Sequence, residues 1–235
     1  VMHLFWPVRS AEGAAEAIAR FASADDQQAV TFSVLGGRAD AGLMALSPDL
    51  DALHRLAKDL HGRGHDPVSS FISLTELSEY TATEDDERAR LVAEGEDDVD
   101  GKLAAWNARI AGYRQNRLYP TLPDKRLIAF YPMSKTREPG ANWYSLSFEE
   151  RKDLMLGHGR VGRKYAGRII QLITGATGLD DWEWGVTLFA DDPVAIKDIV
   201  YEMRFDPVSA EYGVFGPFWT GLLLPPDEVF SRAGV

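Results

Sequence analysis

The residues best equipped for chemistry are five histidines and the charged and aromatic side chains around them. His158 has the most suggestive setting, MLGHGRVGRKYAGR, with glycines on both sides that leave space beside the imidazole. Arg160, Arg163, Lys164 and Arg168 follow without an acid among them. An imidazole can donate axially to a metal, small residues admit a flat ligand, and cations suit that ligand's carboxylates. Composition alone favours the plainer reading, a helical histidine on a solvated Arg/Lys face. His61 and His65 are four residues apart in LHGRGHDP, but the intervening Gly62 and Gly64 favour a surface loop over a metal pair. His54 follows Asp51 by one helical turn, an arrangement typical of an exposed pair. His3 has neither acid nor histidine near it in sequence.

Charge decides where an anion could bind. The chain of 235 residues has a net charge of −11, which argues against nucleic-acid or anionic-membrane partners. Residues 1–100 carry 8 basic and 20 acidic side chains, whereas residues 101–235 carry 17 and 16, so the second half is where the field permits an anion. Within the first half, Glu84–Asp100 holds nine acids against two arginines and reads as a solvated, mobile connector. Cysteine is absent, which excludes disulfides, thiolate catalysis and cysteine-ligated metals. No apolar run approaches the ~20 residues of a membrane span. The opening VMHLFWPVRS lacks a basic region before its apolar stretch, so no signal peptide and a cytoplasmic location are expected.

The pattern of apolar residues supplies the elements that must position these groups. His3–Val8, Ala29–Leu35, Ala41–Leu46 and Val68–Leu77 read as strands, with helices over Glu12–Phe21 and Asp49–Leu60. A helix over Leu103–Arg117 follows the acidic stretch and stops at Tyr119-Pro120. The same order then returns. Arg126–Met133, Ile169–Thr174, Glu183–Phe189 and Phe215–Leu224 read as strands, and Phe148–Tyr165 and Pro193–Met203 as helices. Ser147 with Glu150 forms a capping-box pattern at the start of the first of these. Two copies of β-α-β-β-α-β predict an α+β fold of duplicated ferredoxin-like domains in a barrel-like subunit, divided at 1–100 and 101–235.

From Arg126 onward the chain resembles the chlorite dismutase superfamily, and within it the coproheme decarboxylases. The matching runs are YPMSK at 131–135, NWY at 142–144, HGRVGRKYAGRIIQLITGATGLDDWEWGVTLFADDP from His158, and VYEMRFDPVSAEYGVFGPFWTG at 200–221. The resemblance implies an iron-porphyrin site in the C-terminal half, with His158 as the iron ligand. It assigns Tyr131 to a radical that oxidises the substrate and Lys135 to the reacting propionate. Arg117 and Ser209 match positions that hold propionates, Trp143 a tryptophan of the pocket, and Gln171 the distal position. On a strand Tyr131, Met133 and Lys135 share one face, since side chains alternate with period two.

Gln171 separates two activities within the resemblance. Chlorite-degrading members carry an arginine there, whose fixed cation can hold an anionic oxidant, whereas a neutral glutamine matches the Firmicutes-like type of decarboxylase. The implied activity is peroxide-dependent conversion of iron coproporphyrin III (coproheme) to haem b, so the substrate is also the redox cofactor. The implied assembly is a homopentamer. Chlorite dismutase, a general haem peroxidase and a non-catalytic haem-binding protein are the alternatives.

Overall fold

Backbone satisfaction organises the first half around an antiparallel sheet. The computed structural model describes residues 1–10 and 13–234. Strand β1 (Met2–Trp6) leads to helix α1 (Ala14–Ala22), strands β2 (Gln28–Val34) and β3 (Ala41–Leu46), helix α2 (Leu50–Gly62) and strands β4 (Ser69–Ile72) and β5 (Leu74–Thr75). All six residues of β3 are buried because helices cover one sheet face and further aromatic side chains cover the other. Asp49 starts α2 by accepting from the Asp51 amide, which satisfies one of the helix's orphan donors.

The second half repeats the alternation with additions. Strand β6 (Leu127–Lys135) is followed by a small hairpin, β7 (Arg137–Glu138) and β8 (Ala141–Asn142), and a 3-10 turn at Trp143–Ser145. Helix α5 (Phe148–Arg163), strands β9 (Ile170–Gly175) and β10 (Trp184–Ala190) and helix α6 (Pro193–Met203) come next. A short helix α7 (Pro207–Tyr212), strands β11 (Gly213–Phe215) and β12 (Trp219–Leu224), and helix α8 (Pro226–Arg232) complete the chain. The expected last strand over Phe215–Leu224 is therefore two strands, interrupted at Gly216-Pro217-Phe218 where proline has no amide to donate. The capping box at Ser147 and Glu150 is formed on both sides.

The strands join in the order β4-β1-β3-β2-β12-β6-β10-β9, and the recorded pairings are antiparallel. The two halves meet where β2 pairs with β12, with Val34 opposite Gly221. The result is a mixed α+β fold on an antiparallel sheet. One apolar cluster lies under α1, α2 and α8, and a second, rich in phenylalanine, lies on the opposite sheet face. A third packs β6 and β10 against α6 through Ala129, Val186, Leu188 and Ile199. No described helix is long and apolar enough to cross a membrane.

The compact units differ from the division at residue 100. One unit comprises residues 1–74 and 122–235, and the other Thr75–Thr121. The position 100/101 falls inside helix α4 (Val99–Leu118), where the backbone hydrogen-bond ladder is continuous. The acidic stretch is also not an open connector. Helix α3 (Glu84–Ala93) occupies its first part, capped reciprocally by Thr83 and Asp86, with four acids in its first turn where the helix dipole favours them. Leu91, Leu103 and Trp106 form the buried cluster between α3 and α4, and Asn107 donates to Glu84 at 3.1 Å.

Two buried histidines make the first unit acid-sensitive. His3 is fully buried, stacks on Phe130 at 4.0 Å and reaches the Thr187 hydroxyl at 3.1 Å. His65 is buried near Trp6 and Phe230. Desolvation pushes the His3 imidazole down to about 3, and the His65 imidazole is lowered for the same first reason. A depressed base contributes stability that is full above its unfolded pKa of ~6.5 and is lost as pH falls below it. Stability should therefore drop by up to ~1.4 kcal/mol per pH unit between pH 6.5 and 4 on account of His3, with His65 adding to the loss in the same direction. Denaturant titrations across that range check this, and His65→Leu should flatten the slope.

Candidate functional site

A buried carboxylate fixes the most suggestive histidine. His158 sits in the third turn of α5, and its Nδ1 lies 2.7 Å from Oδ2 of Asp206. Asp206 caps α7, accepting from the Ser209 amide at 3.3 Å, and its side chain is 2% exposed. An ionised carboxylate only accepts, so Nδ1 carries the proton and Nε2 presents its lone pair as a donor for a metal. Pro207 at the first helical position presets the backbone after the cap. The Asp-Pro pair was a readable N-cap signal, but nothing in sequence ties Asp206 to a histidine 48 positions away.

Helix α5 covers the sheet loosely. None of its sixteen residues is fully buried, although the helix stands beside α6 and α7. Gly157 has nothing within 4 Å of where a Cβ would stand, and Gly162 has Gln171 Nε2 at 3.8 Å and Met203 Cε at 3.4 Å. Gly162 is one turn beyond His158, so the histidine's side of the helix faces the strand that bears Gln171. A flat ligand between helix and sheet fits this strip of small residues better than it would a leucine-lined helix.

The facing sheet surface gathers the expected residues of β6 and β9. Tyr131 pairs across to Val186 and that residue to Ile173; Ala129 pairs to Leu188 and that residue to Gln171; Met133 pairs to Trp184. Cross-strand neighbours share a face, so Tyr131, Met133, Lys135 and Gln171 project on one side. Tyr131 stacks on Phe218 at 4.3 Å and meets Phe215 edge-on at 5.9 Å. Burial pushes its phenol up to about 12, with Arg204 opposing. The Arg204 guanidinium lies 4.9 Å over the Phe215 ring.

Lys135 ends the strand in a confined place. It is 7% exposed, its Nζ is 4.6 Å from the Trp143 ring centroid, and it donates to the Val208 carbonyl at 3.4 Å. Burial brings the ammonium down to about 8, against the raising effects of Asp206 and Glu183. Trp143 is buried against Tyr212 at 5.3 Å. Ser209 is buried in the first turn of α7. The structure thus brings Tyr131, Met133, Lys135, Trp143, His158, Gln171 and Ser209 into one unit. Arg117 lies in the other, in the last turn of α4, where its Nε is shielded and has no hydrogen-bond partner. Asp206, Arg204 and Glu183 are additions that the sequence did not single out.

Comparison with known proteins identifies the family. A family model described as chlorite dismutase matches residues 9–224. The chain belongs to the chlorite dismutase family. Within it, a protein named "putative heme-binding protein" from Natronomonas pharaonis is 42% identical over 212 residues, covering 88% of this chain and 33% of its own length. A protein of the same description from Halobacterium salinarum is also 42% identical, with 40% of its length covered. The chain therefore spans about a third of the length of these relatives. A structure described as a novel heme-binding protein from Thermus thermophilus has a TM-score of 0.79 and 35% identity, covering 100% of this chain and 94% of its own. A chlorite dismutase variant from Candidatus Nitrospira defluvii shares the fold at a TM-score of 0.71 and 14% identity, over 100% of this chain and 94% of its own.

Removing the Asp206 carboxylate tests the site without any ligand. Asp206→Ala should release Nδ1, shift His158 toward the Nε2-protonated tautomer, and cost about 1–3 kcal/mol through the lost hydrogen bond and cap. Imidazole 15N shifts report the tautomer directly. An unchanged Nδ1-protonated spectrum would detach Asp206 from the histidine.

Proposed function

We propose that this family member is a coproheme decarboxylase, which binds iron coproporphyrin III and converts two of its propionates to vinyl groups, yielding haem b. The observation that carries the reading is the shared sheet face of Tyr131, Met133, Lys135 and Gln171, opposite the helix that bears His158. The heme-binding descriptions of the Thermus and haloarchaeal relatives support a porphyrin ligand. Among the described residues no group of three His, Asp or Glu is placed to hold a metal ion. A single imidazole backed by a carboxylate suits an iron whose other ligands come from a macrocycle.

The porphyrin iron, once bound, supplies the oxidising power on reaction with hydrogen peroxide. The chain's residues then direct it. His158 would hold the iron through Nε2, with Asp206 keeping the imidazole in the required tautomer. Tyr131 is a neutral phenol at physiological pH, as an ordinary tyrosine is, and burial that raises it to about 12 widens the margin, so its oxidation releases a proton along with the electron. The resulting phenoxyl takes a hydrogen atom from a propionate carbon and returns to phenol. Transfer of one further electron to the peroxide-derived oxidant and loss of carbon dioxide would leave the vinyl group; with the tyrosine's proton and one from solvent, each peroxide would end as two waters. Lys135 pairs with the reacting carboxylate, and Ser209 holds another. Burying a carboxylate without such partners would cost several kcal/mol. Gln171 lacks the cation that would hold chlorite over the iron, which disfavours the chlorite-degrading activity that gives the family its name. A homopentameric assembly and a cytoplasmic location belong to the same proposal.

Tyr131→Phe should stop decarboxylation while coproheme affinity and peroxide consumption persist, since a phenyl ring has no proton to release and keeps the stacking on Phe218. Mass spectrometry of the porphyrin after peroxide addition decides it; haem b formed at a near-native rate would move the radical role elsewhere. Ser209→Ala should weaken coproheme about tenfold and haem b less, because haem b has two fewer carboxylates to satisfy. Equal weakening in optical titrations would remove Ser209 from the propionate set.

A further inference from the structure

Two carboxylates raise the Lys135 ammonium, and they have separate duties. Asp206 is committed to His158 and to the α7 cap. Glu183, one residue before β10 and 5% exposed, is committed to the lysine's own strand. Its Oε2 accepts the Lys135 amide at 2.7 Å, and its Oε1 pairs with Arg137. Its amide donates to the Ser134 hydroxyl at 3.2 Å and to the Met133 carbonyl at 3.1 Å, and its carbonyl accepts the Ala176 amide at 2.7 Å. If the only duties were to accept the Lys135 amide and to meet Arg137, whose side chain is 62% exposed, a neutral glutamine would forfeit little and would avoid the desolvation cost of a buried charge. The carboxylate has a further use.

We propose that Glu183 is a positioning residue for Lys135: it locks the end of β6 and supplies the negative charge that keeps the buried lysine a cation for a substrate carboxylate. The inference rests on the reading that Lys135 meets a porphyrin propionate. The confinement is severe, since the ammonium has the Trp143 ring on one side and the Val208 carbonyl near it. The charged groups that act on it are Asp206 of the α7 cap and Glu183, which is held to the Lys135 amide at 2.7 Å, with Arg137 of the hairpin paired to Glu183. Burial already brings Lys135 to about 8, so a modest loss of negative charge is enough to neutralise it near physiological pH. Arg137 is mostly solvated, with a side chain 62% exposed, so water screens the guanidinium more than it screens the buried carboxylate. The same carboxylate tethers the β7–β8 hairpin, whose far end leads directly into Trp143.

Lysine 13Cε NMR of the ligand-free chain, with the Lys135 signal assigned through Lys135→Arg, reads the charge directly. Glu183→Gln should lower the Lys135 midpoint by about one pH unit or more, because it removes a negative charge and leaves Arg137 unpaired. Glu183→Asp should restore most of the shift. Arg137→Gln, at an exposed position that the fold tolerates, should move the midpoint the opposite way, upward. In optical titrations from pH 6.5 to 9, the preference of Glu183→Gln for iron coproporphyrin III over haem b should fade at a correspondingly lower pH than in the unaltered chain. A Lys135 midpoint that Glu183→Gln and Arg137→Gln both leave unchanged overturns the role of Glu183. A midpoint that moves while the porphyrin preference does not follow overturns the Lys135–propionate contact instead, so the two failures are distinguishable.

Discussion

The hydrogen bond between His158 Nδ1 and Asp206 Oδ2 is the constraint on which the candidate site depends. A lone imidazole on a glycine-flanked helical segment has two usable nitrogens and considerable rotational freedom. The buried carboxylate removes that freedom, assigns the proton to Nδ1 and leaves Nε2 as the donor. Because the same carboxylate oxygen caps α7, the histidine is tied to the segment that carries Ser209 and, through the Val208 carbonyl, to Lys135. Loosening one contact therefore disturbs groups on three separate elements.

The electrostatics of the site are balanced by burial. Desolvation disfavours the charged forms of both Tyr131 and Lys135, raising one and lowering the other. For the tyrosine this is useful without correction, since a neutral phenol couples electron loss to proton loss. For the lysine it works against pairing with a carboxylate, and acids must be placed to compensate. Asp206 and Glu183 meet that need, and each is anchored by contacts of its own. Under the proposed function, a site of this kind would discriminate among porphyrins by how many carboxylates its cations can satisfy, because an unpaired buried charge costs more than a missing apolar contact.

Much of the fold was legible from the chain. Apolar alternation located the strands, and the capping box of Ser147 and Glu150 marked a helix start, because these signals act within a few residues. Local composition misleads in two places. Dense negative charge over 84–100 suggested an open connector, but acids in a first turn favour a helix, and Leu91 supplied enough apolar surface to pack against Leu103 and Trp106. Proline and glycine at 216–217 divided a strand that hydropathy had drawn as continuous.

The candidate site divides along the same line. Sequence by itself determined the types of side chain present, the shared face of Tyr131, Met133 and Lys135, and the open surroundings of His158, since strand alternation and glycine content are properties of the local chain. Tertiary structure decided the partners: Asp206 for His158, Glu183 and Trp143 for Lys135, Arg204 and Phe218 for Tyr131. Those contacts span tens of residues and depend on how β6 and β10 register and where α7 begins. Hydrogen bonds and charge coupling act over a few ångströms in space, and separation along the chain carries no record of that distance.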